Sequence, residues 1–497
     1  MVDESRRGIE KGGRMETIGQ LLPQMHSPPA GPTSRSLVDR LAEAECPALT
    51  LRRARRSEQA GAEQDPIVWH SARDCNVVDA DGNRYVDMSA GFGAAAVGHG
   101  HPKVVAAIAK QAATLLHALG DLQPSEVKVQ LLSRLAGLAP FEDARVILGL
   151  HGADAIEAAL KTALLYTGRP GVLAFEGGYH GLSHGVLPLC GYKEAFRKPF
   201  AAQLSSHVAW APFPEGSQPV ELAIAQVLEA IEASPQAIGA VVVEPLQGRG
   251  GVRVPPPRFL AELSALCRSR EILLVADEVM TGLGRTGPRF LSVEGGAEPD
   301  LICLGKALGG GLPTSACLGR AEVMAAWGDP SGEALHTATF LGNPLLGAAA
   351  LAALDVLDEQ RLGDRARRSG EYLADRLQQL AGRFEAVKEI RGQGLLQGVV
   401  FDRPGMALSV MQDLLERGFI TVPAGAAADV LSLTPPLTVT QALLDAFVDA
   451  LGQVLVVREQ LEQAHPQSGT PPAVSTGLAG DSGADDVDSG SAGGQGA

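Results

Sequence analysis

Four short apolar runs carry no polar alternation: GVLAF at 171–175, AIGAVVV at 237–243, ILLVA at 272–276 and LICL at 301–304. Runs of this length, rich in Val, Ile and Leu and bounded by polar residues or glycine, predict strands buried on both faces of a parallel sheet. Helical spacing of apolar positions fills the gaps. PRFLAELSALCRSR (257–270) is amphipathic and leads into the 272–276 run, while LGLHGADAIEAALKTALLYTG (148–168) reads as a strand end, a glycine turn and a long helix. Strand and helix in alternation predict an α/β fold with a mostly parallel central sheet. Upstream, IVWHSARDCNVVDADGNRYVDMSA (67–90) alternates like strands around a turn at Asp81-Gly82. SLVDRLAEAE (36–45) predicts a short helix, KVVAAIAKQAATLLHAL (103–119) a helix started by Pro102, and PLLGAAALAALDVLDEQRL (344–362) a long helix. Beyond it, helices and strands alternate again, with IRGQGLLQGVVF (390–401) among them.

The chain ends lack such periodicity. Residues 1–34 mix charge, Gly and Pro, and the last stretch is acidic and rich in Gly and Ser without aromatic residues, a composition that predicts disorder. The expected organisation is a disordered arm (1–34), the N-terminal part of a small domain (35–90), a large domain (91–345), the C-terminal part of the small domain (346–463) and a disordered tail (464–497). With 497 residues, 45% of them apolar, and a mean hydropathy of +0.08, the chain can bury a large core. A formal charge of −15 disfavours nucleic acid and anionic membrane surfaces, so an anionic ligand must be caught by local arginines or backbone amides. The six cysteines, at 46, 75, 190, 267, 303 and 317, show no C-x-x-C metal spacing and read as reduced core thiols. No apolar run approaches the ~20 residues of a membrane span, and the N-terminus lacks the apolar stretch of a signal peptide, so a cytoplasmic protein is expected.

Two of the apolar runs end at charged residues. Asp277 closes ILLVA, and Lys306 follows LICL after one glycine. In parallel sheets ligands sit beyond the carboxyl ends of the strands. The pair reads either as a structural ion pair or as a reactive couple. A lysine in a dry site can lose its proton and form a Schiff base with a carbonyl, and an aspartate can keep a pyridinium nitrogen protonated so that the ring acts as an electron sink. Together they suggest pyridoxal phosphate. Two nucleotide readings compete. GLGRTG (282–287) fits G-x-G-x-x-G, but Pro288 and the irregular PRFLSVEGG do not supply the helix that motif needs. LGKA lacks the glycine spacing and hydroxyl of a P-loop. His99 and His101 have no third ligand at metal-binding spacing, and no metal is expected.

The segment from Asp277 to Gly311, with Asp-Glu-Val at 277–279, Thr-Gly-Leu-Gly-Arg-Thr-Gly at 281–287 and Gly-Lys-Ala-Leu-Gly-Gly-Gly at 305–311, resembles the class III aminotransferases of fold type I. The resemblance spans about 40–460 and implies a pyridoxal 5'-phosphate enzyme. Its central α/β domain is mostly parallel, and a smaller α+β domain comes from both chain ends. It implies that Lys306 carries the Schiff base, Asp277 binds the ring nitrogen and Val279 packs on one ring face. Tyr179 in FEGGYHGLSHG is similar to the family's Tyr-His-Gly and is implied to stack on the ring, with His180 as its neighbour. Gly152 and Ala153 are implied to hold the phosphate through backbone amides at the helix start. Glu244, in a segment similar to Val-Glu-Pro-x-Gln-Gly-Glu-Gly-Gly, joins the cofactor-binding set. Phe92 is implied to line the substrate cavity. Thr339 in HTATFLGNP is implied to reach the phosphate bound by the other subunit of a homodimer.

The resemblance implies transfer of an amino group from an amine or omega-amino acid donor to a keto-acid acceptor. An aminomutase of the glutamate-1-semialdehyde type, to which Met280 in DEVMTG is similar, a dialkylglycine-type decarboxylase and a non-catalytic scaffold stay as alternatives. Several positions depart from the family pattern. His151 replaces a Ser, Leu182 and Ser432 stand where the family often has carboxylate-binding arginines, and Arg249 stands where it has a Glu. Two readings of Arg249 stand open: it points inward and anchors a carboxylate, or it is a solvated residue of a Gly-rich loop.

Overall fold

The computed structural model describes residues 19–49, 55, 66–328 and 334–464. The alternating segment near the N-terminus forms β1 (Trp69–Arg73), β2 (Asn76–Asp79) and β3 (Arg84–Asp87), with Gly82 at φ +88 supplying the left-handed backbone of the β2–β3 turn. The next seven strands are β4 (Ala144–Gly149), β5 (Gly171–Phe175), β6 (Val208–Ala211), β7 (Ile238–Val243), β8 (Leu273–Asp277), β9 (Leu301–Leu304) and β10 (Ser315–Arg320). They make one sheet in the order β4-β10-β9-β8-β7-β5-β6. Pairings from β9 through β6 are parallel, and β10 runs antiparallel to both β9 and β4.

The apolar runs behave as their lack of alternation requires: β7, β8 and β9 are buried along their whole length. Successive residues serve opposite faces. Val242 and Val275 pack toward the helix Gly152–Thr167, against Ile156 and Ala159. Val241 and Leu274 pack toward the helices Val220–Glu232 and Phe259–Ser269, against Val227, Phe259 and Leu263. Each such Val or Leu contributes about 1.5–3 kcal/mol when fully buried, which makes both helical layers integral to the sheet.

The C-terminal region adds β11 (Val387–Gln393), β12 (Leu396–Phe401), β13 (Phe419–Ile420), β14 (Val422–Ala424) and β15 (Val430–Leu433). β11-β12-β15-β14 is an antiparallel sheet, while β13 pairs in parallel with β3 and completes the sheet β1-β2-β3-β13. The smaller α+β part is thereby drawn from both ends of the chain. Residues through Leu455 form one compact unit; the second begins at Val456 and is described only to the end of the helix Gln441–Ala464.

Three expectations change. Residues 19–34, expected as part of a disordered arm, are held on the β2–β3 hairpin. Leu21 N donates to Asn76 Oδ1 (2.9 Å), His26 N to Asn83 Oδ1 (2.7 Å) and Thr33 N to Asp81 Oδ1 (2.7 Å). A segment without its own periodicity is ordered here by polar side chains some fifty residues away, which local composition does not register. The first helix accordingly starts at Pro32. Residues 1–18 of that arm, and the tail expected over 464–497 from residue 465 onward, lie outside the described residues. The helix expected over 103–119 stops at Thr114, where Leu115 turns extended. The stretch 344–362 breaks after Glu359, because Arg361 takes φ +49 before the helix Leu362–Ala381 begins.

Candidate active site

Strands β4, β5, β7, β8 and β9 point the same way, so their carboxyl ends share one edge of the sheet, and a cavity of about 670 Å³ lies there. Asp277 is the last residue of β8. Its Oδ1 accepts the Val279 amide (3.0 Å), and its Oδ2 is 2.7 Å from His180 Nδ1. Burial depresses the His180 pKa, but the hydrogen bond and charge of Asp277, with Glu244 behind it, outweigh burial and hold the imidazole above its ordinary range. His180 Nε2 is buried without a partner among the described residues.

Glu244 follows β7 directly and is likewise buried. Its oxygens accept the amides of Tyr179 (2.7 Å) and Gly248 (3.2 Å). Burial pushes its pKa up to about 7, against the pull of His180 and with the repulsion of Asp277. Lys306 stands one residue past Gly305, at φ +39, as the first residue of a short 3-10 turn. Burial lowers its pKa; Asp277 and Glu244 oppose this, while Arg249 and Arg285 assist it. An amine kept below its ordinary pKa is more often neutral, and so more available as a nucleophile and as a free base, than a surface lysine.

Close packing fixes the walls. A Cβ at Gly152 would stand 2.9 Å from Val279 Cγ1 and one at Gly305 3.2 Å from it, so Val279 is seated between two glycines. Gly181 has φ +125, and a Cβ there would stand 2.6 Å from Ala153 Cβ. The turn after β5 therefore lies directly on the first turn of the helix Gly152–Thr167. First-turn amides have no carbonyl one turn earlier to bond, and the positive end of the helix dipole lies there. Gly152 and Ala153 border the cavity, as does Ser183, whose buried Oγ has no partner among the described residues. Open amides, a free hydroxyl, a fixed carboxylate and a lysine around one cavity fit the phosphate, ring nitrogen and aldehyde of pyridoxal 5'-phosphate.

His151 also borders the cavity, where an imidazole stands in place of the family's hydroxyl. Its side chain is largely exposed, with Nε2 3.3 Å from Asp154 Oδ1, and its carbonyl accepts from Ser315 Oγ (2.7 Å). His99 is bonded to Asp87 (2.8 Å) and His101 Nδ1 accepts the Lys103 amide (3.2 Å), so both are engaged in local structure.

The structure brings Phe92, Gly152, Ala153, Tyr179, His180, Glu244, Arg249, Asp277, Val279 and Lys306 to one cavity. Thr339 is not among its lining residues and lies exposed in a turn before the helix Pro344–Glu359. Ser183, Phe196, Thr434 and the strand β14 line the cavity without having been singled out from the sequence. Ser183 lay within the Tyr179 motif, whereas β14 and Thr434 carry no local signal because only the folding-back of the C-terminal region places them there.

A family model described as aminotransferase class-III matches residues 58–455. An alanine/serine racemase of Pyrococcus horikoshii is 32% identical over 464 residues, covering 89% of this chain and 94% of that protein. An acetylornithine aminotransferase of Methanothermobacter thermautotrophicus is 36% identical over 397 residues, covering 79% and 94%. Among solved structures, a PLP-bound amine transaminase from an uncultivated Pseudomonas species superposes with a TM-score of 0.73 at 29% identity, over 79% of this chain and 95% of that one.

Proposed function

The chain belongs to the class-III aminotransferases, pyridoxal 5'-phosphate enzymes of fold type I, and we propose that it moves an amino group from an amine or omega-amino acid donor to a keto-acid acceptor in the cavity headed by Lys306 and Asp277. One observation supports this above the rest: two residues 29 positions apart in sequence, a lysine and an aspartate, meet in one cavity from the ends of adjacent strands.

When bound, the cofactor supplies an aldehyde for amines and a ring that accepts negative charge from the substrate carbon. The chain's own groups do the rest. Gly152 and Ala153, with Ser183 beside them, would hold the phosphate. Asp277, its position set by Val279 N and His180, would keep a proton on the ring nitrogen. His180, whose pKa Asp277 raises against the effect of burial, stands behind that carboxylate as its hydrogen-bond partner. Tyr179 and Val279 would enclose the ring, with Glu244 fixing Tyr179 through its backbone amide. Lys306, with its pKa depressed, would take the proton from the substrate carbon and return it to the carbon on the far side of the transferred nitrogen.

Thr339 enters this reading only through a second copy. It stands outside the cavity of its own chain, and Phe340 beside it in sequence is 55% exposed. We therefore assign the working form as a homodimer that exchanges Thr339 between sites. A cytoplasmic setting accords with six free thiols among the described residues, including Cys303 and Cys317, which face each other across β9 and β10.

The test is a screen of amine donors and keto-acid acceptors followed by the cofactor's absorbance, with borohydride reduction and peptide mapping to locate the modified lysine. The expected result is a keto product that requires an acceptor, and a label on Lys306. Racemisation or isomerisation without an acceptor, or release of CO₂, replaces the transfer reading; a label on another lysine removes Lys306 from its role.

A further inference from the structure

The cavity is unevenly charged. Among its described lining residues the lysines and arginines are Lys306 and Arg249; Lys306 has a task in the transfer, and Arg249 is the permanent cation. Arg249 is held in place without being neutralised. Its guanidinium carbon lies 5.1 Å from the ring centres of both Tyr179 and Tyr192, rings that meet edge to face at 6.3 Å. The backbone is tied as well: Arg249 O accepts the Gly425 amide (3.1 Å), and Tyr192 donates from its hydroxyl to Gly425 O (2.9 Å). Arg249 Nε is buried and has no hydrogen-bond partner among the described residues, and the residue makes no ion pair there.

A half-buried, clamped guanidinium whose Nε is fully enclosed and unused carries a desolvation cost that an anion relieves. The matching anion is planar and has two oxygens, since the guanidinium fork donates two parallel hydrogen bonds to a carboxylate. We infer that Arg249 binds the carboxylate of the substrate, and that the acceptor is a 2-oxo monoacid with an apolar side chain. The second half of the statement comes from the rest of the wall. Phe92, Leu182, Phe196, Met280, Val422 and Pro423 line the remaining space together with the neutral Ser432 and Thr434, and no second permanent cation among the described lining residues stands ready for a second carboxylate. An unpaired carboxylate in such surroundings is strongly disfavoured. The assignment rests on the amino-transfer reading for the word acceptor, but the carboxylate site itself does not.

Binding of unreactive probes to the cofactor-loaded protein separates the two. Calorimetry with butanoate, butanamide and glutarate is run on the unmodified enzyme, Arg249→Gln and Arg249→Lys. The expected pattern is butanoate tighter than butanamide in the unmodified enzyme, and a ten- to hundredfold loss of butanoate affinity in Arg249→Gln, about what a charge-assisted hydrogen bond supplies. Butanamide binding, unchanged in that variant, shows that the cavity is still formed. Arg249→Lys falls between, since it keeps the charge and loses the fork. Glutarate binds no tighter than butanoate. Equal butanoate affinity in the unmodified enzyme and Arg249→Gln overturns the site, and glutarate tighter by tenfold overturns the monoacid class. Absence of amino transfer by the unmodified enzyme, with the butanoate pattern intact, defeats the reaction and leaves the carboxylate site standing.

Discussion

At the scale of single residues, Glu244 is the group whose protonation the fold controls most directly. Its pKa rises from an ordinary 4.5 to about 7 because the carboxyl is buried. A carboxyl that is harder to ionise when folded keeps its proton in the folded state after the unfolded chain has released it. Its contribution to stability is therefore complete below 4.5 and is lost as pH rises toward 7. Glu244→Gln keeps an acceptor for one of the two amides and cannot titrate. Relative to that variant, the unmodified protein should lose roughly 3 kcal/mol between pH 4.5 and 8. Urea unfolding at a series of pH values measures this, and parallel curves for the two proteins would show that Glu244 ionises without strain. That Lys306, Asp277 and Tyr179 line one cavity was readable from short motifs. The bond from His180 to Asp277 was not, because it links residues 97 positions apart.

At the scale of elements, the anion pocket depends on the contact between a turn and a helix start. Gly181, at φ +125 with no space for a Cβ against Ala153, allows it. Gly181→Ala must change the backbone or push the helix away, a strain of about 1–3 kcal/mol. Both a lower melting temperature and faster loss of cofactor on dialysis are expected, since the amides of Gly152 and Ala153 move with the helix. A variant that melts earlier yet retains cofactor as tightly as the unmodified protein would place the phosphate elsewhere. Buried strands such as β7 and β8 were legible in their unbroken apolar runs, as was the helix Gly152–Thr167 in its glycine turn and good helix formers. Helix ends were less legible: the chain turns extended after Thr114 and left-handed at Arg361, where propensity alone gives no stop.

At the scale of the molecule, the exposed position of Thr339 makes a complementation test decisive. Lys306→Ala and Thr339→Ala subunits, each impaired alone, should regain activity on mixing if each site takes its lysine from one copy and its threonine from the other. About a quarter of the sites are then intact, because half of randomly formed pairs carry one complete site. Sedimentation of the mixture confirms that pairs have exchanged. No gain after demonstrated exchange would confine each site to one chain.

The sequence by itself determined the kind of chemistry and the class of fold. Both are written in neighbours: an apolar run closed by Asp277, a glycine before Lys306, strand and helix in alternation. Hydropathy and turn chemistry act over a few residues, so they survive in a linear string. Tertiary structure alone decided that residues 19–34 lie on the β2–β3 hairpin rather than free, because Asn76, Asn83 and Asp81 supply their hydrogen bonds from far along the chain. It also placed Arg249 at the cavity, beside two tyrosine rings. Whether that guanidinium is solvated or turned inward depends on the rings of Tyr179 and Tyr192 and on Gly425, and only folding brings those groups around it.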